Sequence, residues 1–259
     1  MFKIYNEDCL TTMDKIAKAG GKVDVILTSP PYNTGRNSGN IERGMKNHER
    51  RYDIYLEQRN TDEYNDWTVD IFNHYDSILK ENGCILYNMS YGNENPEQMY
   101  LTIADVISRT NFTIADTIIW KKKSALPNNV SHNKLTRICE FVFVFCRKDE
   151  YKTFTANKRV KSQSKTGQNY YENIYNFVEA KNNDGSNNLN KATYSSELCE
   201  QLLNIYAKDG AIVYDSFNGT GTTGVACIRL GLNYIGSELS EEQCKYSIER
   251  LNKALEETK

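Results

Sequence analysis

Short β-branched and aromatic runs alternate with amphipathic segments along most of this chain, and that alternation constrains its fold more than any other feature. FKIY, VDVIL and CILYN are each followed by a stretch of helical periodicity, near 9–18, 62–80 and 97–109. A second series closes the sequence: a helix near 196–207, AIVYD, a helix from about 221 to 230, NYIGSEL, and a helix from 240 onward. Strand–helix–strand order of this kind demands a mostly parallel sheet covered by helices on both faces. FTIADTIIW and EFVFVFC add two strands between the series, and residues 147–190 are rich in Asn, Lys and Ser. With no internal repeat and no Pro/Gly-rich linker, the pattern predicts one α/β domain carrying a small insert.

At 259 residues and 39% hydrophobic content the chain can bury a full core. Its longest apolar run, FVFVFC at 141–146, is strand-length and too short to span a bilayer, so a soluble cytoplasmic protein is the expectation. Seven scattered cysteines with no C-x-x-C pair, and three distant histidines, give no zinc pattern and read as reduced, packed thiols. The net charge of -2 conceals an asymmetry. Lys121 to Lys165 holds twelve Lys and Arg against three acids, leaving 20 bases against 31 acids elsewhere. A basic segment with Tyr, Asn and Ser interleaved suits a surface that follows phosphates.

Two loops lie just beyond strand ends, where a doubly wound sheet builds its sites. The first is YDSFNGTGTTG after AIVY. Asp215 ends the strand, Gly219 and Gly221 permit a tight turn with close backbone approach, and Thr222 or Thr223 can open the next helix. A ligand-free βα turn uses similar residues. The loop is not a P-loop, since no Lys follows the last glycine. What points to a ligand is the next strand, NYIGSEL, which ends in Glu238, where such sheets grip ribose hydroxyls.

The second loop is TSPPYN, Thr28 to Asn33. Two prolines remove two donors and fix two φ angles. Ser29 offers a hydroxyl, Pro30 a carbonyl that the rigid chain aims in one direction, and Tyr32 a flat ring. Together these make two acceptors and a stacking platform for a planar group bearing NH2.

TSPPYN together with DSFNGTGTT resembles the S-adenosylmethionine-dependent DNA amino-methyltransferases, whose signatures are [DNS]-P-P-[YFW] and D-P-F-x-G-x-G-T-T. Catalytic corner first and cofactor loop near the C-terminus resembles that family's permuted β arrangement, across nearly the whole chain. The resemblance implies a Rossmann-like, circularly permuted, seven-stranded sheet: a catalytic half at 1–146, a target-recognition insert at 147–190 and a cofactor-binding half at 191–259. It implies catalytic roles for Ser29, Pro30, Pro31 and Tyr32. It implies S-adenosylmethionine contacts from Asp8, Thr28, Asp215, Phe217, Asn218, Gly219, Gly221, Thr222, Thr223 and Glu238, and no metal. NEDCL resembles the family's G-D-C segment, with Asp8 toward the adenine. LNKATYSSEL is similar to H-P-A-x-F-P-x-x-L, with Asn190, Lys191, Tyr194 and Ser195 at the departures. Duplex DNA is the implied partner, with phosphates held by Lys121, Lys122, Lys123, Arg137, Lys158, Arg159 and Lys161. A homodimer and a cognate restriction endonuclease are compatible partners that the residues do not decide.

The implied reaction is direct transfer to an exocyclic amino nitrogen. Ser29 Oγ and the Pro30 carbonyl would accept its two N–H bonds, freeing its lone pair, while Tyr32 stacks on a base flipped from the duplex. The C5-cytosine route needs a Pro-Cys nucleophile, and no proline here precedes a cysteine. S-P-P-Y leans toward N4 of cytosine, with N6 of adenine the alternative. An RNA or protein amino-methyltransferase would be expected to carry N-P-P-Y, and a non-catalytic DNA-binding module to have lost the corner. The long polar loop 34–60 is expected to close over cofactor and flipped base.

Overall fold

The computed structural model describes residues 1–33, 59–92, 95–185, 189–190 and 193–258. The loop expected to act as a closure therefore lies, over 34–58, outside the described residues, as does Lys191.

The predicted alternation is present throughout. The first half runs β1 (Phe2–Asn6), α1 (Cys9–Lys18), β2 (Val23–Thr28), α2 (Thr61–Ile78), β3 (Leu79–Met89), α3 (Gln98–Arg109), β4 (Phe112–Lys122) and β5 (Cys139–Arg147). Next come β6 (Val160–Gln163), β7 (Asn169–Tyr171) and β8 (Phe177–Ala180). The chain closes with α4 (Ser196–Tyr206), β9 (Ile212–Asp215), α5 (Thr222–Arg229), β10 (Asn233–Glu238) and α6 (Glu241–Glu257). Helix starts follow capping chemistry: Asp8, Asn60, Ser195 and Ser240 each accept a first-turn N–H through the side chain.

The main sheet has the order β1-β10-β9-β2-β3-β5-β4-β8, with only β5 running against its neighbours. β1 pairs with β10 near the C-terminus, Phe2 opposite Tyr234 through Asn6 opposite Glu238, so the chain's first strand completes the half built by its last elements. One apolar cluster packs α4, α5 and α6 onto one face, through Leu198, Leu202, Val225 and Leu251. A second packs α1, α2 and α3 onto the other, through Met13, Phe72, Tyr75 and Val106.

Eight strands form this sheet rather than the seven expected. The eighth, FVEA, pairs in parallel with β4 from Ile119–Phe177 to Lys122–Ala180. Its four residues alternate exposed and buried within a polar stretch, too short a pattern to stand out. Part of 147–190 thus belongs to the central sheet, while β6 and β7 form a separate, exposed two-stranded ribbon.

The crossover from β9 runs to β10 on one side, and that from β2 runs to β3 on the other. β9 and β2 are neighbours, so the chain's topological switch point lies between them, at the strand ends that carry both predicted loops.

Candidate active site

The two loops are bonded together. Thr28, the last residue of β2, donates its Oγ1 hydrogen to Asp215 Oδ1 at 2.7 Å, and Ser216 Oγ lies 3.2 Å from the same hydroxyl. Asp215 is 1% exposed and takes three more donors: the Phe217 N–H at 3.0 Å, Thr223 Oγ1 at 2.7 Å and Tyr194 OH at 3.4 Å. Burial pushes its carboxyl above the usual aspartate range, and these hydrogen bonds pull it back. Asp215 is thus a rivet between corner and glycine loop, set behind the cleft wall.

A cleft of about 150 Å³ lies beside this rivet. The two loops meet in its wall, with Ser29 and Pro31 from the corner and Phe217, Asn218, Gly219 and Thr222 from the glycine loop. Asp8 and Glu238 line it too, whereas Thr28, Asp215, Gly221 and Thr223 do not and instead shape the loop behind it.

Gly219 and Gly221 have φ of 52° and 80°, the left-handed region that side chains rarely adopt. A Cβ on Gly221 would fall 2.5 Å from Ser247 Oγ, so this glycine allows α5 to approach α6. The Asn218 side chain accepts from Tyr234 OH at 2.8 Å and donates to Ser247 Oγ at 3.2 Å.

Glu238 ends β10 as predicted, with Oε2 on the Gly219 N–H at 2.8 Å and Oε1 on the Ser240 N–H at 2.9 Å. Burial raises its carboxyl, and those two N–H groups oppose the rise. Asp8 caps α1 through the Leu10 N–H, 2.8 Å from Oδ1. Phe217 meets Trp67 with ring centroids 5.6 Å apart. The cleft therefore combines three carboxylates, Glu7, Asp8 and Glu238, with an aromatic wall.

Several parts hold the corner rigid. Tyr64 OH donates to the Pro31 carbonyl at 2.6 Å. Asn33, at φ 54°, donates to the Arg59 carbonyl at 2.8 Å and to Gln98 Oε1 at 3.1 Å. Tyr32 OH lies 2.8 Å from Ser29 Oγ and 3.1 Å from Glu140 Oε2, and Asn88 Nδ2 bonds both the Tyr32 oxygen and, at 3.0 Å, Glu140 Oε2. Glu140 Oε1 accepts from Lys122 Nζ at 2.5 Å.

A family model described as DNA methylase, covering N6 and N4 methyltransferases, matches residues 23–249. The chain belongs to the DNA methylase family. It is 24% identical to the type II methyltransferase M.BglII of Bacillus subtilis, over 93% of this chain and 66% of that one. It is 23% identical to the DNA adenine methyltransferase YhdJ of Escherichia coli K12, over 97% and 83%. The solved structure of PvuII DNA methyltransferase (cytosine-N4-specific) superposes with a TM-score of 0.68 at 16% identity, over 99% of this chain and 92% of that one, which establishes the shared fold.

In this DNA methylase the basic residues predicted for phosphates fall into two groups that the structure does not gather. Lys121, Lys122 and Lys123 sit at the corner end of β4, each paired to a carboxylate, Glu179, Glu140 and Glu197, at 2.5 to 2.6 Å. Arg137 bonds the Tyr91 carbonyl, its guanidinium 5.1 Å from that ring's centroid. Lys158, Arg159 and Lys161 are exposed and follow Asn157, which bonds the Ile205 and Ala207 carbonyls at the end of α4, by the sheet edge opposite the corner.

Asn88, Glu140 and Trp67 had no motif to flag them. Asn88 and Glu140 sit in β-strands that read as core, and only their polarity inside apolar runs marks them. Among the described residues no cluster of His, Cys, Asp or Glu is arranged for a metal, and no helix is long and apolar enough to cross a membrane.

Proposed function

We propose that this chain transfers a methyl group from S-adenosylmethionine to the exocyclic amino group of a base flipped out of duplex DNA, N4 of cytosine first. The observation that carries this reading is the shared cleft: Ser29 and Pro31 line the same wall as Glu238 and Gly219, and the Thr28–Asp215 hydrogen bond fixes one loop against the other.

The residues present fit the cofactor. Glu238 can accept from ribose hydroxyls while its backbone partners hold it in place, Asp8 adds an acceptor, and Phe217 with Trp67 offers an apolar face to a purine. Bound S-adenosylmethionine supplies an electrophilic methyl group on a sulfonium.

The corner does the rest. Ser29 Oγ and the Pro30 carbonyl accept hydrogen bonds from the two amino N–H groups, drawing the nitrogen toward tetrahedral geometry so that its lone pair can face the methyl. As the N–C bond forms the C–S bond breaks, S-adenosylhomocysteine is released, and the nitrogen gives up one proton to solvent. The rate gain comes from orientation and from acceptors that need no reorganisation. Tyr32 stacks on the base.

Incubation with labelled S-adenosylmethionine and mixed-sequence duplex DNA, followed by digestion to nucleosides, tests the reading. Label in N4-methylcytosine is the expected result. Similarity to a DNA adenine methyltransferase supports the second reading, for which label appears in N6-methyladenine. Label confined to RNA or protein overturns both. As a relative of a type II methyltransferase, the chain fits the modification half of a restriction–modification pair in a cytoplasm.

A further inference from the structure

We propose that the loop between β4 and β5, residues 123–138, is an apolar wedge that enters the DNA stack and fills the space left by the flipped base. The inference rests on the amino-methyltransferase reading and adds the element that opens the duplex.

Three observations carry it. First, the loop springs from the corner itself. Lys122, at its start, and Glu140, just past its end, are bonded to each other, and Glu140 accepts from Tyr32 OH at 3.1 Å. Arg137 is fixed to Tyr91, which follows the strand of Asn88. β4 runs parallel with β3 and β2, so the loop stands at the edge of the sheet that carries TSPPYN.

Second, the loop displays aliphatic side chains to solvent. Leu126, Val130 and Leu135 are 93%, 94% and 89% exposed, more than any other described large hydrophobic residue except Met1. The loop is braced from within: Asn128 N donates to Thr136 Oγ1 at 2.9 Å, Asn128 Nδ2 to the Lys134 carbonyl at 3.1 Å, and Ser131 N to Asn128 Oδ1 at 3.3 Å. Side chains that gain nothing from folding are held outward by polar ties. Leucine and proline are among the residues that proteins insert between base steps, and Pro127 adjoins Leu126.

Third, the charge suits a polyanion. From Lys121 through Cys139 there is no acid, against five Lys and Arg. The pairs holding Lys121 and Lys123 are exposed enough for phosphates to replace the carboxylates at little cost. A second copy docking loop against loop would bring like charges together.

The test uses the full chain and a duplex carrying the site mapped by sequencing DNA methylated by the wild-type protein. Leu126→Ser, Val130→Ser and Leu135→Ser are made singly and together. On the matched duplex the triple variant is expected to lose about 30-fold or more in kcat/KM, and to recover to within about 3-fold of wild type on a duplex whose target base is mismatched, because an unpaired base costs little to extrude. Affinity for S-adenosylhomocysteine should stay within about 2-fold, since the loop does not line the cofactor cleft. Equal loss on both duplexes, or no loss, overturns the wedge. So does a wild-type dimer that the triple variant converts to monomer with equal loss on both, which would make the loop an interface between copies. A wild-type protein that methylates no DNA overturns the function reading itself, a result visible before any variant is made.

Discussion

The hydroxyl oxygens of Ser29 and Tyr32 lie 2.8 Å apart, so the proposed acceptor and the proposed stacking ring of the corner form one hydrogen-bonded unit. The unit continues through Tyr32 to Asn88 and Glu140, and from Glu140 to Lys122. A free serine hydroxyl rotates. Here its rotamer and the tilt of the tyrosine ring are set together, by groups on β3, β4 and β5.

The proposed function therefore gives Tyr32 two separable roles. Tyr32→Phe keeps the ring but removes the hydroxyl that orients Ser29, and one such hydrogen bond is worth about 1 kcal/mol, or roughly 5- to 10-fold in kcat. Tyr32→Ala also removes the platform and should cost roughly 100-fold or more. Cofactor affinity, read by calorimetry with S-adenosylhomocysteine, should change little in either. Equal loss of turnover and cofactor affinity would contradict both roles.

Glu140→Gln separates charge from hydrogen bonding. The amide oxygen can still accept from Tyr32, but Lys122, partly buried against Trp120, loses its counter-charge. A loss of about 1 kcal/mol is expected, lowering Tm by roughly 2–4 °C. Lys122→Met in the same background should recover most of it, and a double-mutant cycle reads the coupling. Additive losses would mean that the pair contributes nothing.

Much of this site was legible in the sequence because its parts are local. TSPPYN and DSFNGTGTTG are contiguous, and their rigidity and backbone freedom come from residue types whose φ preferences are intrinsic. Position after a strand then placed both on one sheet edge. Asp215 was found but its role was not, because four donors from β2, the loop itself, α5 and the segment before α4 converge on it only in the folded chain. Lys121 to Lys123 read as free charge for the same reason: their carboxylates lie 18 to 74 residues away. β8 escaped because an edge strand of four residues leaves almost no period to detect.

Asp215→Asn tests the rivet. An amide puts two N–H donors where an oxygen now accepts two hydrogen bonds, so either the Phe217 N–H faces another donor or the Thr223 and Tyr194 hydroxyls must give up donating to this side chain. The expected loss is about 2 kcal/mol in urea unfolding, with weaker S-adenosylhomocysteine binding because the glycine loop is no longer fixed against β2. Unchanged stability would show that the four contacts are incidental.

As the proposed acceptor for the ribose hydroxyls, Glu238 should give cofactor binding a pH dependence of definite sign. Burial, aided by the nearby Asp215 charge, lifts its carboxyl above the ordinary 4.5, while the Ser240 and Gly219 N–H groups hold it down. A raised value means that the protein takes up this proton at a higher pH than a free glutamate does. As pH falls through that raised value, the anionic acceptor for ribose hydroxyls is lost. Affinity for S-adenosylhomocysteine should be flat at neutral pH and fall on acidification before ordinary carboxylates titrate. Glu238→Gln should bind about 10-fold more weakly at neutral pH, because the charge-assisted hydrogen bond is gone. It should also lose the acid-side fall, having no proton to gain there. A Gln variant that keeps the wild-type slope would move the titrating group away from Glu238 and overturn this assignment.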